Sequence, residues 1–139
     1  MMRVVCGIIQ DEKGRLLIAR RPEGKALAGY WEFPGGKIEQ GETPESALRR
    51  ELREELLIET EILQTLPPVE HHYHALSSSS TDTSPRTISI ILIPCHARII
   101  SGNPHPTEHT EIAWRCPSEI DLSTLAPADI PVLALLNRE

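Results

Sequence analysis

Cysteine is scarce in this chain of 139 residues: there are three, Cys6, Cys95 and Cys116. Their wide spacing excludes a local zinc knuckle, and an odd count argues against the disulfide framework of a small secreted domain. They read as free thiols in or near the core, where unpaired cysteine behaves as a small apolar residue. Long apolar runs are missing too. Ile88–Ile93 is interrupted by Ser89 and falls far short of the roughly 20 apolar residues that a membrane-spanning helix needs. The N-terminus, Met1-Met2-Arg3, runs straight into a β-like stretch with none of the signals of a secretory leader, so a cytoplasmic location is expected. Positive charge is also in deficit, with 14 Lys and Arg against 20 Asp and Glu and a net charge of −6. No basic stripe is visible, which argues against a nucleic-acid partner. The acidity does not exclude a phosphorylated ligand, because a bound divalent cation reverses the local field. Internal repeats and composition breaks are absent as well, so residues 1–139 are expected to form one domain.

What is present is a regular alternation of short apolar segments. Arg3–Gln10 and Leu16–Arg20 read as strands joined by the polar turn Asp11-Glu12-Lys13-Gly14. Gly24–Gly29 is a loop, and Tyr30–Phe33 is a short extended piece. Pro34-Gly35-Gly36 reads as a tight turn in which glycine supplies positive φ and lets backbone approach a ligand. Thr43 is an N-cap with Pro44 at the first helical position, and a helix is expected from Pro44 to about Leu57. Leu48, Leu52 and Leu56 form its buried ridge. Further strands are expected around Glu61–Leu66, Val69–Ala75, Arg86–Ile99 and Glu111–Cys116, with a mobile Ser-rich hairpin loop over Leu76–Pro85 and a last helix over Ile130–Asn137. Strands mixed with two helices, without regular βαβ alternation, give an α+β class with a mixed β-sheet between two main helices.

The chemically informative segment is the first helix. Glu51, Glu54 and Glu55 lie three and four apart, which puts their carboxylates on one patch. Alone they repel. A solvated face with Arg49, Arg50 and Arg53 as partners is the plain reading. The Gly-Gly segment upstream and the extra carboxylates Glu39 and Glu42 favour another, a site for a hard divalent cation, which takes carboxylate and carbonyl oxygens.

Gly36, Glu42 and Arg50-Glu51-Leu52-Arg53-Glu54-Glu55-Leu56-Leu57-Ile58 resemble the Nudix box, G-x5-E-x7-R-E-U-x-E-E-x-G-U with U aliphatic. One position departs: Leu57 stands where the family has glycine, with about 1 kcal/mol of strain expected if φ is positive there. The resemblance implies the Nudix fold and hydrolysis of a phosphoanhydride with Mg²⁺ as cofactor, Mn²⁺ being a possible substitute. It also implies roles. Glu54, Glu55 and the carbonyl of Gly35 hold metal, and Glu51 binds metal and orients or deprotonates water. Arg50 positions Glu51 through an ion pair, and Glu42 serves structure or outer metal contacts.

Outside the box, Leu16–Arg21, Glu32–Lys37 and Ala126–Pro131 resemble the MutT branch. That likeness makes Glu108, six residues before Trp114, a further metal ligand or the catalytic base, the plain alternative being an exposed loop carboxylate, and assigns substrate contacts to Arg21, Phe33, Gly36 and Lys37, Phe33 being equally readable as core. Asp129 stands where MutT reads the base with asparagine. An ionised aspartate only accepts hydrogen bonds, which suits a cytosine amine and opposes guanine O6; the plain alternative is a cap on the last helix. The Leu-Ala-Pro-Ala-Asp-Ile-Pro run also resembles relatives that prefer CTP and modified pyrimidine nucleotides. His71, His72 and His74 are expected at the surface or the pocket rim. The function implied is a nucleoside triphosphate pyrophosphohydrolase, monomer or homodimer, that removes damaged or modified nucleotides. A nucleotide-sugar or dinucleotide hydrolase, and a catalytically silent Nudix sensor, are the alternatives.

Overall fold

Strand β1 (Met2–Ile9) is the axis of the molecule in the computed structural model, which describes residues 1–76 and 85–136. One edge of β1 pairs antiparallel with β4 (Gly35–Lys37), and the other pairs in parallel with β7 (Pro85–Ser101). The long β7 carries two partners in succession along its far edge, both antiparallel. These are β6 (Val69–Leu76) and β5 (Glu59–Thr65). Together they make a mixed five-stranded sheet.

With both edges of β1 taken, the next strand cannot join it. β2 (Leu16–Arg20) instead lies between β3 (Trp31–Glu32) and β8 (Glu111–Arg115) in a separate antiparallel sheet of three strands. The turn Asp11–Gly14 therefore carries the chain between sheets, with Asp11 Oδ1 accepting from the amides of Lys13 and Arg15. The strands expected as one sheet are thus divided into two.

Side-chain alternation along β1 separates two cores. Val5 and Ile9 face helix α1 (Pro44–Leu56) together with Ile93, Cys95 and Ala97, whereas Cys6 and Ile8 join Leu92, Phe33, Leu125, Val132 and Leu133 on the side of helix α2 (Ile130–Leu136). The main sheet is sandwiched between the helices, as expected. All three cysteines are free, Cys6 and Cys95 buried and Cys116 half-buried. Among the described residues no helix is long and apolar enough to cross a membrane. Most of the Ser-rich segment (77–84), Asn137 at the end of the expected last helix and the side chain of His74 lie outside what the structure describes.

Helix α1 begins as its sequence dictates. Thr43 Oγ1 accepts from the Ser46 amide at 3.1 Å, and the Thr43 amide donates to Ser46 Oγ at 3.0 Å, a reciprocal cap on two amides the helix leaves unpaired. Ala47, Leu48, Leu52 and Leu56 are fully buried beneath it. The helix stops at Leu57, which adopts φ 58° and donates its amide to the Arg53 carbonyl. This is the left-handed stop the box glycine would make, here forced on a half-exposed leucine.

Two expectations are corrected at Pro34–Gly36. The segment does not make a positive-φ turn: Gly35 and Gly36 lie in β4, opposite Cys6 and Val5. They are glycines because there is no room. A Cβ on Gly35 would stand 2.0 Å from the Val5 carbonyl oxygen, and one on Gly36 would stand 2.5 Å from the Glu51 carboxyl carbon.

Candidate active site

Four groups converge where β4 passes the middle of α1. Arg50 is the hub. Its Nε and Nη2 donate to the two oxygens of Glu42 at 2.7 and 2.9 Å, a bidentate pair that fixes the plane of the guanidinium. Nη2 also reaches the Lys37 carbonyl at 3.1 Å, tying the helix to β4, and Nη1 donates to Glu51 at 2.9 Å. The Arg50 bonds, with the Glu39 amide, hold the Glu42 carboxyl down at about 2, and Arg50 itself is pushed upward by Glu42 and Glu51. Glu51 is thus held in an ion pair and wedged against Gly36.

Glu51 and Glu55, one turn apart, are in side-chain contact. Burial raises the affinity of Glu51 for its proton, and burial together with the Glu51 charge pushes Glu55 up to about 9. One oxygen of Glu55 is buried without any partner. Two half-buried acids in contact, one with a buried oxygen that has no partner, are a donor set that a divalent cation would complete. The remaining expected ligands are less gathered. Glu54 is 61% exposed and turned toward Arg50 at 3.4 Å. Among the described residues no three His, Cys, Asp or Glu side chains already surround one point.

Glu108 reaches this end of the site by a route the sequence does not disclose. The segment 105–110 docks on the last turn of α1. The His105 amide donates to the Leu56 carbonyl at 2.9 Å and the Thr107 amide to the Glu55 carbonyl at 3.0 Å, while Thr107 Oγ1 reaches the Glu54 carbonyl at 2.9 Å. These bonds satisfy carbonyls that a helix C-terminus leaves open. They also bring Glu108, exposed, close enough for its charge to raise Glu55 further.

The second end of the site is built on β3. Asp129, 5% exposed, accepts the Phe33 amide at 3.0 Å. It sits at the end of a short 3-10 turn leading into α2, and its carboxyl binds the Phe33 strand segment rather than capping α2. The structure gives Asp129 a reading beside the acceptor-only one. Burial, with the Glu32 charge adding to it, pushes the carboxyl up to about 8, so at neutral pH it mostly keeps its proton and offers a donor, as asparagine would. Of the two readings of Phe33, substrate contact or core, the structure gives the core: its ring is 2% exposed and its amide donates to Asp129. Arg21 donates to Glu32 at 2.9 Å and to the Ala26 carbonyl at 2.6 Å. Lys37 is exposed, and its carbonyl carries the Arg50 contact. His72 is exposed on β6 with Nδ1 2.6 Å from Ser89 Oγ. Two residues missed by sequence reasoning, Glu32 and His109, lie between the two ends. Only their neighbours, Phe33 and Glu108, signalled them.

The family model for the Nudix domain matches residues 1–136. The chain belongs to the Nudix family. A CTP pyrophosphohydrolase of Escherichia coli (strain K12) is 38% identical over 133 residues, covering 96% of this chain and 89% of that protein. An 8-oxo-dGTP diphosphatase of Proteus vulgaris is 43% identical over 72 residues, 52% of this chain and 64% of that one. The solution structure of the E. coli ORF135 protein superposes with a TM-score of 0.69 at 34% identity, covering 99% of this chain and 89% of that one. With all four charged residues of the box's Arg-Glu and Glu-Glu pairs in place, this chain is a MutT-like Nudix hydrolase.

Proposed function

We propose that this Nudix hydrolase is a Mg²⁺-dependent nucleoside triphosphate pyrophosphohydrolase, acting in the cytoplasm on damaged or modified nucleotides. The observation that carries the reading is the half-buried, touching pair Glu51 and Glu55, with one Glu55 oxygen unpartnered and Glu51 packed directly against Gly36. Glu51, Glu54, Glu55, the Gly35 carbonyl and Glu108 would hold the cation. When bound, it neutralises phosphate oxygens and makes water a stronger acid. The chain's own groups do the rest. Arg50 fixes Glu51, and Glu51 or Glu108 takes the proton of the attacking water. The new bond is from water oxygen to phosphorus, and the bond broken is the phosphoanhydride between the α and β phosphates. The products are a nucleoside monophosphate and pyrophosphate.

Cytosine nucleotides are the first candidates, supported by the Leu125–Pro131 run and by the relative that matches nearly the whole chain. One observation favours a second reading. A protonated Asp129 can donate to a guanine O6 as well as accept from an N–H, which admits 8-oxo-guanine nucleotides. The test is pyrophosphate release from CTP, dCTP, 5-substituted dCTPs, dGTP and 8-oxo-dGTP with Mg²⁺, for wild type and Glu54→Gln. Turnover of cytosine nucleotides that Glu54→Gln abolishes supports the first reading, and a wide lead for 8-oxo-dGTP supports the second. No turnover of any nucleotide refutes both.

A further inference from the structure

His109 takes no part in the reaction just described, yet it is built into the site. It is 8% exposed, and its Nε2–H donates to Glu32 at 2.9 Å. Its other ring nitrogen is buried with no partner, so the bond to Glu32 is the imidazole's one polar tie. Glu32 uses its second oxygen to accept from Arg21 at 2.9 Å, and Arg21 is pinned in turn by the Ala26 carbonyl.

The backbone around His109 is anchored on both sides. Thr107 is bound to the last turn of α1, and the Thr110 amide donates to the Arg20 carbonyl at 3.1 Å, on β2. The imidazole therefore projects from a fixed bridge between the helix that carries Glu51, Glu54 and Glu55 and the end of the strand that Arg21 directly follows. The carboxylate it holds sits between the two ends of the site, since the Glu32 charge is felt by both Glu55 and Asp129. The next residue, Phe33, gives its amide to Asp129. Released from His109, Glu32 would keep Arg21 by one bond only and could rotate toward either acid. Arg21, bonded to its other oxygen, would follow.

We infer that His109 is a positioning residue that holds Glu32, and through it Arg21 and the Asp129 end of the site, at a fixed distance from the metal end. It acts on nucleotide binding rather than on bond cleavage. This rests on the functional reading above.

The experiment compares wild type, His109→Leu, His109→Gln, Glu32→Gln and the His109→Leu/Glu32→Gln double variant, with Mg²⁺ and the best nucleotide of the panel. Thermal melts are recorded alongside. His109→Leu is expected to raise KM about tenfold, the size of one hydrogen bond to a charged group, with kcat within about threefold of wild type. Gln can place an N–H near the imidazole Nε2 position, so His109→Gln should return KM to within about threefold. In the Glu32→Gln background, adding His109→Leu should change KM less than about twofold, because two residues that act through one contact are not additive.

A fall in kcat at unchanged KM would overturn the inference and leave His109 a merely structural support for Glu108. So would a Gln variant as poor as Leu, or a double variant in which the two losses multiply. If wild type turns over none of the nucleotides, the functional reading fails by itself. The inference is then read by calorimetric affinity for CTP without turnover: about tenfold weaker binding by His109→Leu supports it, while equal affinity, or none in wild type, refutes it.

Discussion

Adjacent glycines in β4 should fail in different ways when each gains one methyl group. At Gly36 the atoms nearest the new Cβ would all belong to the Glu51 side chain, 2.5 Å away for its carboxyl carbon and 2.6 and 2.7 Å for its oxygens. A carboxylate on rotatable bonds can swing clear. The fold then loses little beyond the Arg50–Glu51 bond, about 1–2 kcal/mol, or about 5 °C in a chain of this size. The chemistry loses more. Glu51 must move by on the order of 1 Å, and a displacement of that size in a positioned group costs about 100-fold in rate. At Gly35 the new Cβ would meet backbone instead, 2.0 Å from the Val5 oxygen and 2.7 Å from the Cys6 Cα. Strand β4 cannot retreat without opening its ladder with β1, so about 3 kcal/mol or more of stability should go with it.

The assay is pyrophosphate release paired with thermal melting for wild type, Gly35→Ala, Gly36→Ala and Glu51→Ala. Gly36→Ala should melt about 5 °C below wild type and turn over about 100-fold slower, whereas Gly35→Ala should melt far lower. Gly36→Ala activity within about fivefold of wild type would refute the reasoning, since a misplaced Glu51 should cost far more than that. A Gly36→Ala melt as low as that of Gly35→Ala would also refute it, by showing that β4 needs both glycines for its own packing.

Four further outcomes are expected. Leu57→Gly should stabilise the protein by about 1 kcal/mol in thermal melts, because it relieves a left-handed φ of 58° and gives up only a half-exposed side chain. Thr107→Val should cost about 1 kcal/mol through its lost hydroxyl bonds to the Glu54 and Glu55 carbonyls, and should lower kcat as Glu108 loosens. Asp129 in the folded chain keeps its proton up to about pH 8, while its ordinary value is 3.8. The unfolded chain releases that proton first, so stability falls as pH rises from about 4 through 8. Melts of Asp129→Asn should match wild type near pH 4 and exceed it increasingly toward pH 9. Mg²⁺ at about 100 times its Kd should raise the stability of wild type by about 2.7 kcal/mol. In Glu55→Gln the same titration should give little shift, and an equal shift there would remove Glu55 from the metal site.

The parts legible in the sequence are those fixed by local rules. Thr43-Pro44 announces the start of α1, and the leucine ridge fixes its buried face. The spacing of Arg50, Glu51 and Glu55 is a property of helical geometry that needs no tertiary information. The division into two sheets was not legible, because it depends on β1 having both edges occupied by segments far away in sequence. Nor was the role of Gly35 and Gly36. Glycine in a sequence signals either unusual φ or missing space, and only the neighbour across the gap, the Val5 carbonyl or the Glu51 carboxyl, decides which.

Asp129 carries the same lesson into substrate choice. As a letter in the sequence it is an anion, and an anion accepts hydrogen bonds only. In the fold it is enclosed by the α2 core, faces Glu32, and is given a single backbone donor, that of Phe33. One amide does not compensate for the loss of water around a charge, so the group keeps its proton and regains the donor that an asparagine would have. The difference between an acceptor and a donor-acceptor at this position is the difference between excluding and admitting a guanine edge. It is set by burial. A pyrimidine preference at such a carboxyl needs the shape of the pocket around it as well as the identity of Asp129.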